Sequence, residues 1–310
     1  MTTNTQLEGA LRLAELGVIR AHGADAASFL HGQLTNDVAN LGAGETRLAG
    51  YCSAKGRLLA SFLVWRSGDD LLLACSADLL ASTLKRLRMF VLRAKCVLTD
   101  AGTEVPLHGL AGPAATAWLG EAAPAIGRCA VREGATVIRL PDGAGTTRFL
   151  LAGASAVPPL PPLDARAWRW LEVASGIARV ELATAEHFVP QMLNYELVGG
   201  VDFRKGCYPG QEVVARSQYR GTIKRRSLLF QTVAAAAAGG TEVFHSEDPS
   251  QPAGQVVMAA ASAEGGSIAL VEVKLAALAS GSLHLATPDG ALLERLAMPY
   301  DVPLEVAAPA

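Results

Sequence analysis

Near the middle of the chain, the run Val157-Pro158-Pro159-Leu160-Pro161-Pro162 constrains the fold more than any other stretch. Each proline removes a backbone donor and fixes φ, so neither a helix interior nor a central strand can pass through. The run reads as an extended linker and a boundary, and the chain must build separate layers on its two sides.

Upstream, residues 16–21 read as a strand, and Asp25 caps a helix that buries Phe29, Leu30 and Leu34. Residues 47–52 and 57–65 pair around the turn Ser53-Ala54-Lys55-Gly56, and a strand over 71–75 follows the turn Ser67-Gly68-Asp69. A helix from 77 to about 92 sets Leu80, Leu84, Leu87 and Val91 on one stripe, and 95–98 returns as a strand. This α+β unit spans residues 1–103. A second unit, residues 104–223, opens with a strand over 105–110 and a short helix led by Gly112-Pro113, proline being tolerated in a first turn. Strands follow at 129–131, 136–140 and 148–152, so the two units are related α+β modules, as an old duplication would leave them.

Downstream of the prolines, Asp164 caps a helix over 165–175 that Gly176 stops. On the helical period Trp168, Leu171, Glu172 and Ser175 share a face, so an indole and a carboxylate look the same way. From residue 224 to 310, alternating stretches at 227–233, 241–245, 254–258, 267–274, 282–286 and 292–297 are divided by Gly, Ser, Asp and Pro. That spacing predicts a small antiparallel β-barrel, with the Ala-Gly tract 234–240 as a loop.

The totals exclude several classes. A formal charge of -2 over 310 residues does not suit a generally basic nucleic-acid binder, so no direct nucleic-acid contact is expected. Charged residues interrupt every apolar run before the roughly 18 residues that a membrane helix needs. The first residues lack a basic head followed by an apolar block, so no secretory signal is expected. Five cysteines, widely spaced and without a CxxC pair, argue against a disulfide framework and a self-contained zinc site. A reducing cytoplasm fits this usage best.

One stretch carries chemistry: Lys205-Gly206-Cys207-Tyr208-Pro209-Gly210-Gln211-Glu212. Two glycines and a proline around one cysteine require a tight turn that holds the sulfur in place. The cations Arg204 and Lys205 just ahead of it favour thiolate over thiol. A short helix then runs from Gln211 toward Gly221, its expected stop. With Ala215-Arg216 and Tyr219-Arg220-Gly221 behind it, the octapeptide resembles the signature of the YgfZ-type folate-binding proteins. That family is related to the mitochondrial four-iron cluster assembly factor and, more distantly, to the aminomethyltransferase (T-protein) of the glycine cleavage system.

The resemblance implies a T-protein-like ring of two α+β modules and a barrel around a folate-sized opening. It implies a folate-dependent auxiliary factor for assembly or repair of four-iron cluster enzymes, including those that modify tRNA. Tetrahydrofolate or a derivative would be the cofactor, and cluster carriers or clients the protein partners. Cys207 would be a reactive thiol, or one ligand of a transient iron-sulfur cluster shared with a partner, with Lys205 as its activator. Trp168 would stack on the pterin and Glu172 accept its N–H groups. Asn36, in the polar group Gln33, Thr35, Asn36 and Asp37, would face the opening, as would Lys55-Gly56-Arg57. Arg216 and Arg220, with the basic run 224–226, would meet the folate's glutamate tail. Gly206, Tyr208, Pro209 and Gly210 would shape the loop, and Gln211 and Glu212 would tie it or face a partner.

The family's second tryptophan falls on Leu16, T-protein's glutamate on Ala174, and its paired aspartates near Ala60 and Ser61. Methylene transfer needs such an acceptor or base, which argues against aminomethyltransferase activity. Two rival readings stay open: a tetrahydrofolate-dependent one-carbon transferase, and a non-catalytic folate-binding module in which Cys207 only packs.

Overall fold

Short apolar runs joined by polar turns pair with one another, so the strands of all three sheets run antiparallel. The computed structural model describes residues 7–219, 223–234, 237–263 and 265–304. The chain opens with β1 (Gly9–Arg12), β2 (Leu16–His22), α1 (Ala26–His31), β3 (Thr46–Cys52), β4 (Leu58–Ser67), β5 (Asp70–Ser76), α2 (Ala77–Met89) and β6 (Val97–Asp100). Five of these strands form a sheet in the order β3-β4-β5-β2-β6, on which α2 lays Leu80, Leu84 and Leu87. Asp25 departs from the expected capping role. Its carboxylate accepts the Lys95 N–H at 2.7 Å, fastening the start of α1 to the segment before β6.

β7 (Leu107–Ala111), α3 (Gly112–Leu119), β8 (Cys129–Arg132), β9 (Ala135–Gly143) and β10 (Thr146–Ala152) follow. The second sheet has the order β1-β7-β10-β9-β8. Its edge strand β1 comes from the far end of the chain: Ala10 lies opposite Leu110. The proline linker explains how that edge is finished. Prolines lack donors but keep carbonyls, and Pro161 O accepts the Ala10 N–H at 2.9 Å while Leu163 N–H donates to Ala10 O at 3.0 Å.

After the linker, α4 (Ala165–Ala174) begins as expected, with Asp164 Oδ1 accepting the Arg166 N–H at 2.6 Å, and α5 (Gln211–Tyr219) follows the signature. Gly221, the expected end of that helix, lies outside the described residues. β11 (Arg225–Thr232), β12 (Glu242–His245), β13 (Asp248–Ala261), β14 (Ser267–Lys274), β15 (Leu283–Leu285) and β16 (Leu292–Arg295) close into a barrel. β13 starts earlier than the sequence pattern indicates. Register shifts on either side of Phe244 accommodate Pro252 in the ladder, where proline would otherwise end a strand.

The two sheets share a core: Val18, Trp65 and Leu72 from one and Leu107, Ile138 and Leu150 from the other close on Ala167, Trp168 and Leu171 of α4. Burying each large side chain there contributes about 1.5–3 kcal/mol. The sheets also meet along their edges, where Thr46 N–H donates to Gly127 O at 3.0 Å and Cys129 N–H to Gly44 O at 2.9 Å. Among the described residues no helix is long and apolar enough to cross a membrane.

Candidate functional site

Between the two sheets, beside α4, lies a cavity of about 860 Å³. Strands β3 and β4 supply Arg47 and Ser61, β9 and β10 supply Arg139 and Arg148, and α4 supplies Trp168 and Glu172. The segment Val198–Arg204 completes the wall through Gly199, Asp202, Phe203 and Arg204. Three of the expected ligand residues, Asn36, Trp168 and Glu172, are therefore brought together from positions far apart in sequence. Leu16 and Ser61 line the same space.

Each of the three is more committed than its sequence position implies. Trp168 is only 2% exposed, and its benzo ring occupies the space a Cβ on Gly109 would need, with ring atoms 2.8–2.9 Å from that point. The Arg148 guanidinium lies over the indole, 5.4 Å from the ring centroid. Glu172 receives Arg179 on both oxygens, at 2.8 and 2.9 Å, and Arg169 at 3.0 Å. Burial alone would raise its pKa, but Arg179, Arg169 and Arg148 more than reverse this and hold it at about 2. Asn36 spends both amide protons on the Leu48 and Gly199 carbonyls, at 2.7 and 2.6 Å, and its oxygen accepts the Asp37 N–H. It braces the wall.

Five arginines line the cavity, against the two carboxylates Glu172 and Asp202. Arg47, Arg139 and Arg179 have acidic partners in Glu45, Asp142 and Glu172. Arg148, nearly fully buried, donates to the Pro141 carbonyl at 3.1 Å and is in salt-bridge contact with no carboxylate among the described residues. Burial lowers its pKa to about 10, so it stays charged at neutral pH, opposed only by the more distant Glu172 and Asp142. Arg148 is thus a buried positive charge without a directly paired carboxylate, an arrangement that suits an anionic group beside it. The sequence did contain a signal, since Arg148 shares a strand face with Leu150 and Ala152 of the shared core.

The signature loop sits beside this wall, docked on the turn between β3 and β4. Gly210 has φ +78, and a Cβ there would stand 2.4 Å from Ser53 O and 2.6 Å from the Gly56 Cα. Gly56, at φ +71, would clash in turn with Val213 at 2.8 Å. Gly206 carries no such demand: an added Cβ would meet only His31 Nε2, at 3.7 Å. Lys205 is buried, and its ammonium donates to His31 O at 2.7 Å and Gly206 O at 3.1 Å, 4.8 Å from the Tyr208 ring centroid. Burial lowers its pKa to about 8, against the pull of Asp37, Asp202 and Cys207. Gln211 N–H donates to Tyr208 O at 3.2 Å, completing the turn through Pro209 into α5.

Known proteins share both the sequence and the fold. A protein named "tRNA-modifying protein YgfZ" from Sodalis glossinidius is 30% identical over 306 residues, covering 94% of this chain and 93% of its own length. The chain belongs to the YgfZ family. A second member, from Edwardsiella ictaluri, is 32% identical over 247 residues, 71% of this chain and 70% of that protein. No protein-family model matches the chain. The fold is that of the glycine cleavage system aminomethyltransferase T from Bartonella henselae, with a TM-score of 0.70 at 17% identity over 97% of this chain and 87% of that one. Two α+β modules and a closed antiparallel barrel are thus the architecture of this family member.

Several expected ligand residues lie elsewhere. Arg216 pairs with Glu212 at 2.7 Å on the exposed face of α5 and does not line the cavity, because the helical i,i+4 spacing supplies its partner. Arg220 lies outside the described residues. Arg225 and Arg226 are tied to Glu272 and Glu196, so two of the three cations in the basic run are structural ion pairs. The turn at Lys55-Gly56-Arg57 carries the signature loop, and Arg57 donates to the His187 carbonyl. Ala60 and Ala174 are buried, and Ser61 Oγ accepts the Val180 N–H at 2.9 Å, so no carboxylate stands at those positions.

Cys207 is the exposed one of the five cysteines. Burial pushes the thiols of Cys52 and Cys75 up to about 12, and raises those of Cys96 and Cys129 as well. An aromatic disulfide reagent is therefore expected to titrate a single fast thiol per native chain, lost in Cys207→Ser; a second fast thiol would contradict the arrangement. Among the described residues no group of three or more His, Cys, Asp or Glu side chains can hold a metal. The chain offers one accessible sulfur and does not by itself fit a resident cluster.

Proposed function

We propose that this chain is a folate-binding auxiliary factor that supports the assembly or repair of four-iron cluster enzymes, among them enzymes that modify tRNA. The observation that carries the reading is the cavity: about 860 Å³, walled by Trp168 and the buried cation Arg148. A reduced folate has a flat pterin, an aromatic linker and an anionic glutamate, and each finds a counterpart there. Trp168 and Arg148, both nearly fully buried and stacked on each other, meet the ligand as one cation–indole unit at the cavity wall. Glu172, its oxygens held by arginines, orients those cations at the cavity wall.

Names of the relatives, such as the Sodalis protein's "tRNA-modifying protein YgfZ", support the tRNA connection. Cys207 serves the cluster, which is cargo and not a resident cofactor. Its thiolate would complete a cluster shared with a carrier or client protein. Contact with tRNA is indirect, through the client enzymes, and the work is done in the cytoplasm. Cys207 is exposed, which supports a chemical role for it over a packing one.

In a deletion strain under oxidative stress, wild type is expected to restore a four-iron enzyme to its normal activity, while Cys207→Ser at matched expression restores less than about a tenth. A two-iron enzyme is the control. Full rescue by the serine variant would remove the thiol from the mechanism, and equal loss of the two-iron enzyme would remove the selectivity.

A further inference from the structure

Arg204 stands apart from the other cavity arginines. Its side chain is 95% exposed although it lines the cavity, which places it at the opening. Its nearest carboxylate, Asp202, is 3.7 Å away and already accepts the Arg204 backbone N–H at 2.8 Å. Arg204 is thus a solvated cation whose one ion-pair contact among the described residues is the long approach to Asp202, and its remaining donors are in reach of a ligand's emerging end. It is also the residue before Lys205, whose ammonium pins the signature loop to the end of α1, and it lies three positions ahead of Cys207. Between the wall residue Gly199 and Lys205, the segment is fixed by Asp202 N–H donating to Thr35 O at 3.0 Å. Only Lys205 and Gly206 separate Arg204 from the cysteine along the backbone.

We propose that Arg204 binds the anionic end of the cavity ligand, and that by seating it Arg204 couples cavity occupancy to the reactivity of Cys207. The inference rests on the folate reading and names the residue that takes the glutamate, a role the exposed pair Arg216–Glu212 does not fill. A pteridine deep between the sheets is held by Arg148 and Trp168; the glutamate, at the other end of the molecule, arrives at the opening. Closing on it draws Arg204 out of solvent and tightens the segment that feeds the signature loop.

The full chain would be titrated calorimetrically with 5-formyltetrahydrofolate and with the corresponding tetrahydropteroate, which lacks the glutamate. Arg204→Ala is expected to weaken the folate about tenfold, the loss of one charge-assisted hydrogen bond, and the pteroate less than about twofold. Arg204→Lys should recover part of the difference. Saturating folate is expected to slow iodoacetamide alkylation of Cys207 about threefold or more in wild type and to leave it unchanged in saturated Arg204→Ala. If wild type binds neither compound, the folate reading falls and this inference with it. If wild type binds folate but the variant binds both compounds as tightly as wild type, or weakens both equally, Arg204 does not read the glutamate while the folate reading stands. Alkylation that ignores the ligand in wild type overturns the coupling.

Discussion

Gly210→Ala is expected to be the most damaging single-methyl change in the signature. The residue sits at φ +78, where a side chain costs about 1–2 kcal/mol, and its new Cβ would press on Ser53 O at 2.4 Å. That atom is backbone in a turn that Gly56 and Val213 hold from the other side, so the clash cannot relax by a rotamer change. Strain of this kind adds about 1–3 kcal/mol. A total loss of about 2–5 kcal/mol should appear as a lower urea midpoint with an unchanged slope. Gly206→Ala, where only His31 Nε2 is near, is the control and should move stability by no more than about 0.5 kcal/mol. Equal effects at the two glycines would mean that the loop is not docked through Gly210.

Glu172→Gln is expected to cost about 2–4 kcal/mol, because Arg179 and Arg169 would keep only Glu181 as a carboxylate partner and Arg148 would face a neutral amide. The pH dependence gives a second, independent mark. In the folded protein the carboxyl titrates at about 2, below its ordinary 4.5, so the folded state favours the charged form. The stability it supplies is complete above about 4.5 and is lost as pH falls toward about 2. Acid unfolding followed by circular dichroism should therefore be steeper in wild type than in Glu172→Gln across that window. Parallel curves would show that the carboxylate is not held by its arginines.

Much of the architecture was legible because it rests on local signals. The strand pairs of the first sheet follow turns read directly from sequence, and Asp164 caps α4 with the side chain expected of it. β1 was missed for a physical reason: Gly9–Arg12 has no alternation of its own, and its partner β7 is about a hundred residues away. At the site, Trp168, Glu172 and Asn36 could be placed by resemblance, but what they touch could not. Arg169 and Arg179 reach Glu172 from helix spacing and from a later turn, and Arg148 arrives from another sheet. The fate of Arg225 and Arg226 is hidden in the sequence because a basic run shows its charge, while the carboxylates that pair with these two, Glu272 and Glu196, are tens of residues away. Cys207 was legible as a turn cysteine, yet that it is exposed, and that the cavity wall stops at Arg204 short of it, is visible only in three dimensions.

The edge strand β1 bears on how the molecule can be made and divided. Gly9–Arg12 leaves the ribosome before any of the first sheet, yet its hydrogen bonds wait for Leu107–Ala111 and the proline linker. The two modules are therefore not beads on a string. A cut at residue 103 would strip the second of its border and leave the first with a stray segment, so recombination that shuffles such halves must carry the opening residues along with the later half.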